Sequence, residues 1–328
     1  MTQCGYRSGL DLDHGRQNWD GTGPRPLSWR AWYPCPDTPM APSSDAFFDP
    51  GSVATGAQLD GATPLPVVLI SHGTGGSADS LGWIARALVS RGHVVIGVNH
   101  HGNTGSDVRA EGFLCWWERA TDLSVLLSHL SETGPFAGHL DLQNVTAIGF
   151  SLGSHTALCL AGARTSLKHF ERWRSSEAPG MSGPREFPDL VQAIPGLLDA
   201  NPVFRTSWDQ HGADFSDPRI GRVIALAPPP PVQGFTAASL RNVSLPVLLV
   251  TCQNDTEAPT THGADWLTTC NPGFVHCDIG TDAGHYSFLD LPADPDLLQR
   301  DEIFLEADGV NRRDIHQRIL RLILGAMG

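Results

Sequence analysis

A serine flanked by glycines is the residue of this sequence that is best placed to do chemistry. Ser151 is the centre of residues 149–153, Gly-Phe-Ser-Leu-Gly, which follow a β-branched stretch at residues 144–148 and precede a segment of helical character. This strand–turn–helix pattern is typical of a nucleophile elbow, where a tight turn lifts the serine hydroxyl above a sheet. The sequence therefore predicts that Ser151 is the nucleophile of an acyl transfer.

A serine nucleophile needs a base that removes its proton. His285 lies between a predicted strand at residues 274–279 and a predicted C-terminal helix, in a loop where it follows a glycine. His155 lies too close to the elbow, on the helix that follows it, and His316 lies within the last helix. We predict that His285 is the base.

The base in turn needs a carboxylate that orients its ring. Asp255 follows the apolar run of residues 247–250, and ligands of an open parallel sheet collect at the carboxyl ends of its strands. Glu257 and Asp282 are the alternative acids. The resulting chain order of serine, then acid, then histidine is the order expected with this elbow.

The negative charge that forms on the substrate oxygen needs backbone N–H donors. One is expected from Leu152, directly after the nucleophile, and the other from residues 71–77, Ser-His-Gly-Thr-Gly-Gly-Ser. Glycines let main-chain N–H groups turn inward, and we predict that Thr74 supplies the second donor. A phosphate-binding loop is the alternative, but the glycine spacing of such loops is missing.

Six residues beside these groups are predicted to line the substrate pocket: His72, Gly73, His100, His101, Phe150 and Tyr286. His100 and His101 end the strand predicted at residues 94–98, on the same sheet edge. A metal site at this pair is the alternative, yet no carboxylate or third histidine stands at ligand spacing. The sequence predicts neither a metal nor a cofactor.

Alternating strands and helices are predicted to position the site. Buried strands are predicted at residues 67–70, 94–98, 144–148, 222–226 and 247–250, and helices at residues 80–91, 116–130 and 314–324, the last capped by Asn311. This alternation predicts a mostly parallel central sheet with helices on both faces. Residues 6–10 and 27–33 are expected to form an antiparallel edge, and residues 36–63 a surface loop.

Residues 164–218 interrupt the alternation. They are too many for a plain crossover, and they carry the aromatic residues Phe170, Trp173, Phe187, Phe204 and Trp208. We interpret them as an inserted helical cap, with a disordered insertion as the alternative. The predicted organisation is a first core part at residues 1–163, the cap, and a second core part at residues 219–328. An aromatic cap predicts a preference for apolar over charged substrates.

Composition limits the partners and the compartment. The 328 residues carry a formal net charge of −13 with a single lysine, Lys168, which argues against nucleic acid and anionic membranes as partners. No apolar run reaches membrane-spanning length and no signal peptide is visible, so a cytoplasmic location is expected unless a leader was removed. The seven cysteines lack a C-x-x-C pattern, and pairing of Cys4 with Cys35 or of Cys270 with Cys277 is expected only on export. The oligomeric state stays open.

Several segments in chain order carry a resemblance to a known superfamily: residues 30–34, 71–77, 101–104, 119–124, the elbow, Asp255 and residues 283–285. They resemble the α/β-hydrolase superfamily, and more narrowly the bacterial predicted dienelactone hydrolases and the platelet-activating-factor acetylhydrolases. Dienelactone hydrolases proper use a cysteine where Ser151 stands. The acetylhydrolases place the acid after an earlier strand, where residues 225–228 hold no carboxylate here, which favours Asp255.

Together the motifs and the resemblance predict a serine hydrolase that cleaves small carboxylic esters through an acyl-enzyme. A lactonase, amidase or peptidase would use the same three residues, as would a cofactor-free perhydrolase or peroxidase. A binding protein that keeps the fold without the chemistry is the remaining alternative.

Overall fold

The strands of the molecule lie mostly in one sheet. The computed structural model describes residues 3–38, 47–61 and 64–328. In chain order its strands are β1 Gln3–Gln17, β2 Pro24–Cys35, β3 Ala54–Thr55, β4 Leu65–Ser71, β5 Val94–Asn99, β6 Asn103–Thr104, β7 Asp107–Val108, β8 Leu140–Phe150, β9 Ile220–Leu226, β10 Val247–Thr251 and β11 Val275–Asp278. Nine of them form a sheet in the order β11-β10-β9-β8-β4-β5-β2-β1-β3, while β6 and β7 form a separate hairpin.

The helices flank this sheet. They are α1 Gly82–Val89, α2 Ala110–Leu114, α3 Glu118–Glu132, α4 Leu152–Leu160, α5 Leu167–Glu177, α6 Ile194–Ala200, α7 Pro202–Asp209, α8 Ala237–Asn242, α9 Ala264–Cys270 and α10 Arg312–Met327. Short 3-10 turns occur among them, including Ala78–Leu81, Leu190–Ala193 and His285–Phe288. The side chain of Asn311 accepts a hydrogen bond from the backbone of Arg313 and caps α10, as predicted.

The two faces of the sheet carry separate apolar cores, because side chains alternate along a strand. Val67 and Leu69 of β4 pack with α3, α4, α8 and α9, whereas Val68 and Ile70 pack with α1 and α10. The neighbouring strands β11, β10, β9, β8, β4 and β5 pair in parallel, and β2 pairs with β5 in an antiparallel arrangement. The predicted mostly parallel sheet with helices on both faces is confirmed, and it has the architecture of the α/β-hydrolase fold.

Two local predictions are wrong. The segment at residues 36–63 is more than a surface loop, because Phe48, Val53 and Ala54 are buried and β3 pairs in parallel with β1. Residues 39–46 and 62–63 of that segment lie outside the described residues. The helix predicted from Trp116 begins instead at Glu118, and Trp116 lies in the turn before it.

Residues 164–218 contain the helices α5, α6 and α7 and the 3-10 turn Leu190–Ala193. They pack on a third apolar cluster, which is centred on residues before and within the elbow: Trp19, Phe113, Leu114, Cys115, Trp116, Trp117 and Leu152. Phe170, Phe187, Phe204 and Trp208 of the segment join this cluster, whereas Trp173 packs against Phe170 and His262. This packing places the segment over the carboxyl end of β8.

Two further findings concern predictions made from composition. In the described ranges, no helix is long and apolar enough to cross a membrane. All seven cysteines belong to the described residues and are free thiols, including the two pairs considered for export.

Candidate active site

Ser151 occupies the sharp turn between β8 and α4. Its backbone has φ 50° and ψ −123°, a conformation that side chains other than glycine rarely adopt. The turn closes only because its flanking residues lack side chains: a Cβ at Gly149 would overlap the carbonyl of Gly153, and one at Gly153 would overlap the carbonyl of Ser71. No side chain fits at either position, so both residues must be glycine. The strained turn holds the Ser151 hydroxyl clear of the strand.

The Ser151 hydroxyl lies at the end of a short chain of hydrogen bonds. Its Oγ is 3.1 Å from Nε2 of His285, and Nδ1 of that histidine is 2.7 Å from Oδ2 of Asp255. The other carboxylate oxygen, Oδ1, accepts from the backbone N–H groups of Glu257 at 3.0 Å and Ala258 at 2.6 Å. A carboxylate can only accept, so Nδ1 carries the imidazole proton and Nε2 is left to accept the proton of the serine.

The alternative acids lie elsewhere. The carboxylate of Asp282 binds Arg318 at 2.6 Å, and Glu257 lines the cavity above the site while its backbone N–H bonds to Asp255. The structure therefore brings Asp255 to the imidazole and does not bring Glu257 or Asp282 there.

The loop after β4 contributes backbone donors, and its own hydrogen bonds decide which of them are free. The N–H of Gly75 donates to Oδ1 of Asn103 at 2.9 Å, and the N–H of Gly76 donates to the carbonyl of Gly73 at 3.3 Å. The N–H groups of Thr74 and Leu152 have no acceptor among the described residues, and both residues line the cavity beside Ser151. These two amides are thus available to a negatively charged oxygen.

A short segment holds this loop in place, and we call residues 103–105 the strap. Asn103 binds the loop through the bond to Gly75, and its Nδ2 is tied to the carbonyl of Gly112 at 3.1 Å. The hydroxyl of Thr104 donates to the carbonyl of Gly76 at 2.6 Å, and the N–H of Gly105 donates to the same oxygen at 3.3 Å. Asn103 and Thr104 belong to residues 101–104, the segment that carried the resemblance, but neither was predicted as a site residue.

A cavity of about 1230 Å³ opens above Ser151. Of the predicted site residues it is lined by Ser151, His285, Thr74, Leu152, Gly73, Phe150 and Tyr286, while Asp255 lies behind His285. Much of the remaining wall is apolar and comes from residues 113–116 and residues 164–218: Phe113, Leu114, Trp116, Leu167, Phe170, Leu190, Ile194 and Trp208.

Three predicted pocket residues do not line the cavity, and these predictions are wrong. His72, His100 and His101 are buried in polar contacts with the protein itself. Burial, with Arg119 nearby, lowers the pKa of His100 to about 3 and that of His72 well below its ordinary value, so both rings are neutral. His101 bonds through Nδ1 to Asp107 at 2.6 Å and accepts the N–H of Trp19 at Nε2.

His100 belongs to a second chain of serine, histidine and aspartate, which the sequence analysis missed. Its Nε2 is 3.0 Å from Oγ of Ser71, and its Nδ1 is 2.9 Å from Oδ2 of Asp122. The carboxylate of Asp122 also binds Arg16 and Arg25, each at 2.7 Å. We call Ser71, His100 and Asp122 the buried relay, and Ser151, His285 and Asp255 the cavity relay.

Across the described parts of the chain, no group of three or more histidine, cysteine, aspartate or glutamate side chains is arranged to hold an ion. The pair His100 and His101, considered for such a site, is instead directed to two different carboxylates, Asp122 and Asp107.

Comparisons with known proteins place the fold. No protein-family model matches the chain, and no curated protein sequence is significantly similar to it. Among solved structures it is similar to a ferulic acid esterase from Streptomyces cinnamoneus, with a TM-score of 0.57 and 19% sequence identity over 92% of this chain and 79% of that one. At this identity the likeness concerns the fold, and it agrees with the α/β-hydrolase architecture.

Proposed function

We propose that this protein is a serine hydrolase that cleaves carboxylic esters. The observation that carries the proposal is the cavity relay: a serine in a strained turn, at hydrogen-bond distance from a histidine that an aspartate orients. Two unused backbone N–H groups beside the serine, those of Thr74 and Leu152, supply what acyl transfer needs in addition.

In the proposed mechanism His285 takes the proton of Ser151 as the hydroxyl attacks the acyl carbon. The oxyanion of the tetrahedral intermediate accepts hydrogen bonds from Thr74 and Leu152. Protonated His285 then gives its proton to the departing alcohol, and the acyl group remains on Ser151. Water, deprotonated by His285, releases the acid in a second pass through the same geometry, while Asp255 stabilises the imidazolium each time.

The cavity supports esters ahead of the other substrates of such a site. Most of its lining is apolar, which accommodates alkyl or aromatic groups, while residues 164–218 also contribute the charged side chains Lys168, Glu171, Arg174, Arg185 and Glu186. The similar structure is named as an esterase, which supports the same class. Lactones, amides and peptides remain the alternatives because they require the same residues, and a perhydrolase would reveal itself by peroxide-dependent halogenation.

The direct test is covalent labelling together with turnover. The intact protein is incubated with a fluorophosphonate, digested, and the modified peptide is identified by mass spectrometry, while p-nitrophenyl esters of graded acyl length are assayed in parallel. We expect one label, on Ser151, and hydrolysis that the label abolishes. A protein that is neither labelled nor active on any ester would contradict the proposal.

A further inference from the structure

The pairing of β2 with β5 places two polar side chains on one face of the sheet. In this antiparallel register Ser28 lies opposite Asn99 and Arg30 opposite Gly97, so Arg30 and Asn99 point to the same side as diagonal neighbours. Gly97, between them on this face, leaves room for Ala78, because a Cβ at position 97 would lie only 2.8 Å from the Cβ of Ala78. The loop after β4 therefore folds down onto this face, next to Arg30 and Asn99.

Asn99 presents a hydrogen-bond donor to the cavity. The residue is only 8% exposed and lines the cavity wall. Its Oδ1 accepts the N–H of Ala78 at 2.8 Å, which fixes the orientation of the amide. Its Nδ2 has no acceptor in the described ranges, so two N–H bonds remain unused at the cavity.

Arg30 and Ser77 line the same cavity and add further donors. The guanidinium of Arg30 is held by Asp79, 3.2 Å from Nε, and by the carbonyl of Trp29, 3.0 Å from Nη1. In the part of the chain that the structure describes, neither Nη2 of Arg30 nor the hydroxyl of Ser77 has an acceptor. Asp79 is occupied by Arg30 and by the hydroxyl of Tyr6 at 3.2 Å, so each of the three unused groups offers a hydrogen-bond donor.

We propose that Arg30, Ser77 and Asn99 form a polar subsite that binds an acceptor oxygen of the substrate, as found in a carboxylate or a second carbonyl. The inference rests on the proposed function and specifies its substrate class: esters with an apolar group for the cap side and a second oxygen-bearing group some distance from the scissile carbonyl. Ser77 is three residues from Thr74, and three residues span at most about 11 Å, so one medium-sized substrate reaches both.

The test uses matched esters that differ only at one chain end, which is a methyl group, a methyl ester or a carboxylate. One series carries this end on the acyl chain and the other on the alcohol, each with spacers of graded length, and acid release is followed by pH-stat titration. We expect at least one oxygen-ended ester to exceed its methyl-ended partner about tenfold in kcat/KM, as one or two hydrogen bonds to such an oxygen allow. The carboxylate and methyl ester arms show whether charge is required.

Asn99→Asp keeps the acceptor for Ala78 but replaces the free donor by an acceptor. We expect it to bring the ratio of oxygen-ended to methyl-ended kcat/KM down to about one, and below one for the carboxylate. Ser77→Ala, which breaks no internal hydrogen bond of the side chain, should reduce the same ratio about threefold. The matched control is Lys168→Met, which removes a cavity cation from the cap segment and should leave the ratio as it is.

The outcomes separate the two proposals. If the wild type hydrolyses every ester at equal kcat/KM in both series, or if Lys168→Met abolishes the preference while Asn99→Asp and Ser77→Ala keep it, the subsite is overturned and the esterase proposal stands. If the wild type hydrolyses none of the esters and Ser151 is not labelled by a fluorophosphonate, the proposed function itself fails.

Discussion

Two chains of hydrogen bonds in this molecule join the same side-chain types in the same order. In the cavity relay the serine-to-histidine and histidine-to-aspartate distances are 3.1 and 2.7 Å, and in the buried relay they are 3.0 and 2.9 Å. By distance alone the two are equivalent. Their surroundings differ in three ways that matter for chemistry.

The first difference is the serine. Ser151 sits in a turn with φ 50° at the floor of a cavity, whereas Ser71 is the last residue of a central strand and does not line the cavity. The second is the aspartate, since Asp255 is bound by backbone N–H groups and Asp122 by two arginines. The third is the pair of amides of Thr74 and Leu152, which lie beside Ser151 and have no acceptor among the described residues. Access from the cavity and oxyanion donors therefore distinguish a reactive site from a structural one.

The strongest test of this comparison is removal of each serine. Ser151→Ala should lower kcat/KM for p-nitrophenyl esters by about 10⁴-fold or more, because only binding and the oxyanion donors remain. Ser71→Ala should leave activity within about fivefold and should lower the free energy of unfolding by about 1–3 kcal/mol, because His100 loses a buried partner. Steady-state kinetics measure the change in activity and urea unfolding measures the change in stability. A Ser71→Ala protein that is folded but inactive would contradict the structural role assigned to Ser71.

The cavity relay was accessible from sequence, and the buried relay was not. Ser151 lies in a local motif whose glycines are sterically required. Asp255 was predicted from its position after a buried strand, and His285 from its position after a glycine in a loop. These signals depend on a few neighbouring residues and on the alternation of strands and helices. The alternation of strands and helices along the chain also predicted the mostly parallel sheet, which is confirmed.

The histidine predictions failed because pocket lining depends on side-chain direction rather than on position along a strand. His100 follows a β-strand that ends at the correct sheet edge, yet its ring turns inward to Asp122, which lies on α3. That contact joins residues 22 positions apart in sequence, and two arginines from the first hairpin bind the same carboxylate. No local pattern contains this information, although residues 119–124 marked the helix involved.

The two aspartates give the next largest contrast. Asp255→Asn should lower turnover about 10³–10⁴-fold, because an amide stabilises the wrong tautomer of His285, and the fold should remain intact. Asp122→Asn should instead cost about 3–5 kcal/mol of unfolding free energy, because the buried Arg25 and the partly buried Arg16 lose this carboxylate. Glu257→Gln is the neighbouring control and should change turnover by less than tenfold. An equal kinetic loss in Asp255→Asn and Glu257→Gln would contradict the assignment of the acid.

The loop of residues 71–77 connects the two relays, since it begins at Ser71 and carries Thr74, and the strap sets its position. Asn103→Ala and Thr104→Val should each lower kcat about 10- to 100-fold with little change in KM, because a displaced Thr74 amide stabilises the transition state poorly. Thr104→Ser keeps the hydroxyl bond to Gly76 and should stay close to the wild type. A loss that appears in KM alone would assign the strap to substrate binding instead.

The smallest expected effect concerns protonation of the buried relay. Burial, with Arg119 nearby, lowers the pKa of His100 to about 3, whereas the unfolded chain takes up a proton near pH 6.5. The unfolded state therefore binds more protons below that pH, so the stabilisation is complete above about pH 6.5 and is lost as the pH falls towards 3. Between pH 7.5 and 5 this amounts to about 2 kcal/mol of unfolding free energy for one such histidine.

Urea unfolding at both pH values should show that His100→Gln, although less stable at pH 7.5, loses about 2 kcal/mol less on acidification than the wild type. His316, whose pKa burial also lowers to about 3, offers an independent repetition as His316→Gln outside either relay. Equal losses in the wild type and both variants would mean that these rings are protonated in the folded protein at pH 5, and burial would then not keep the buried relay neutral.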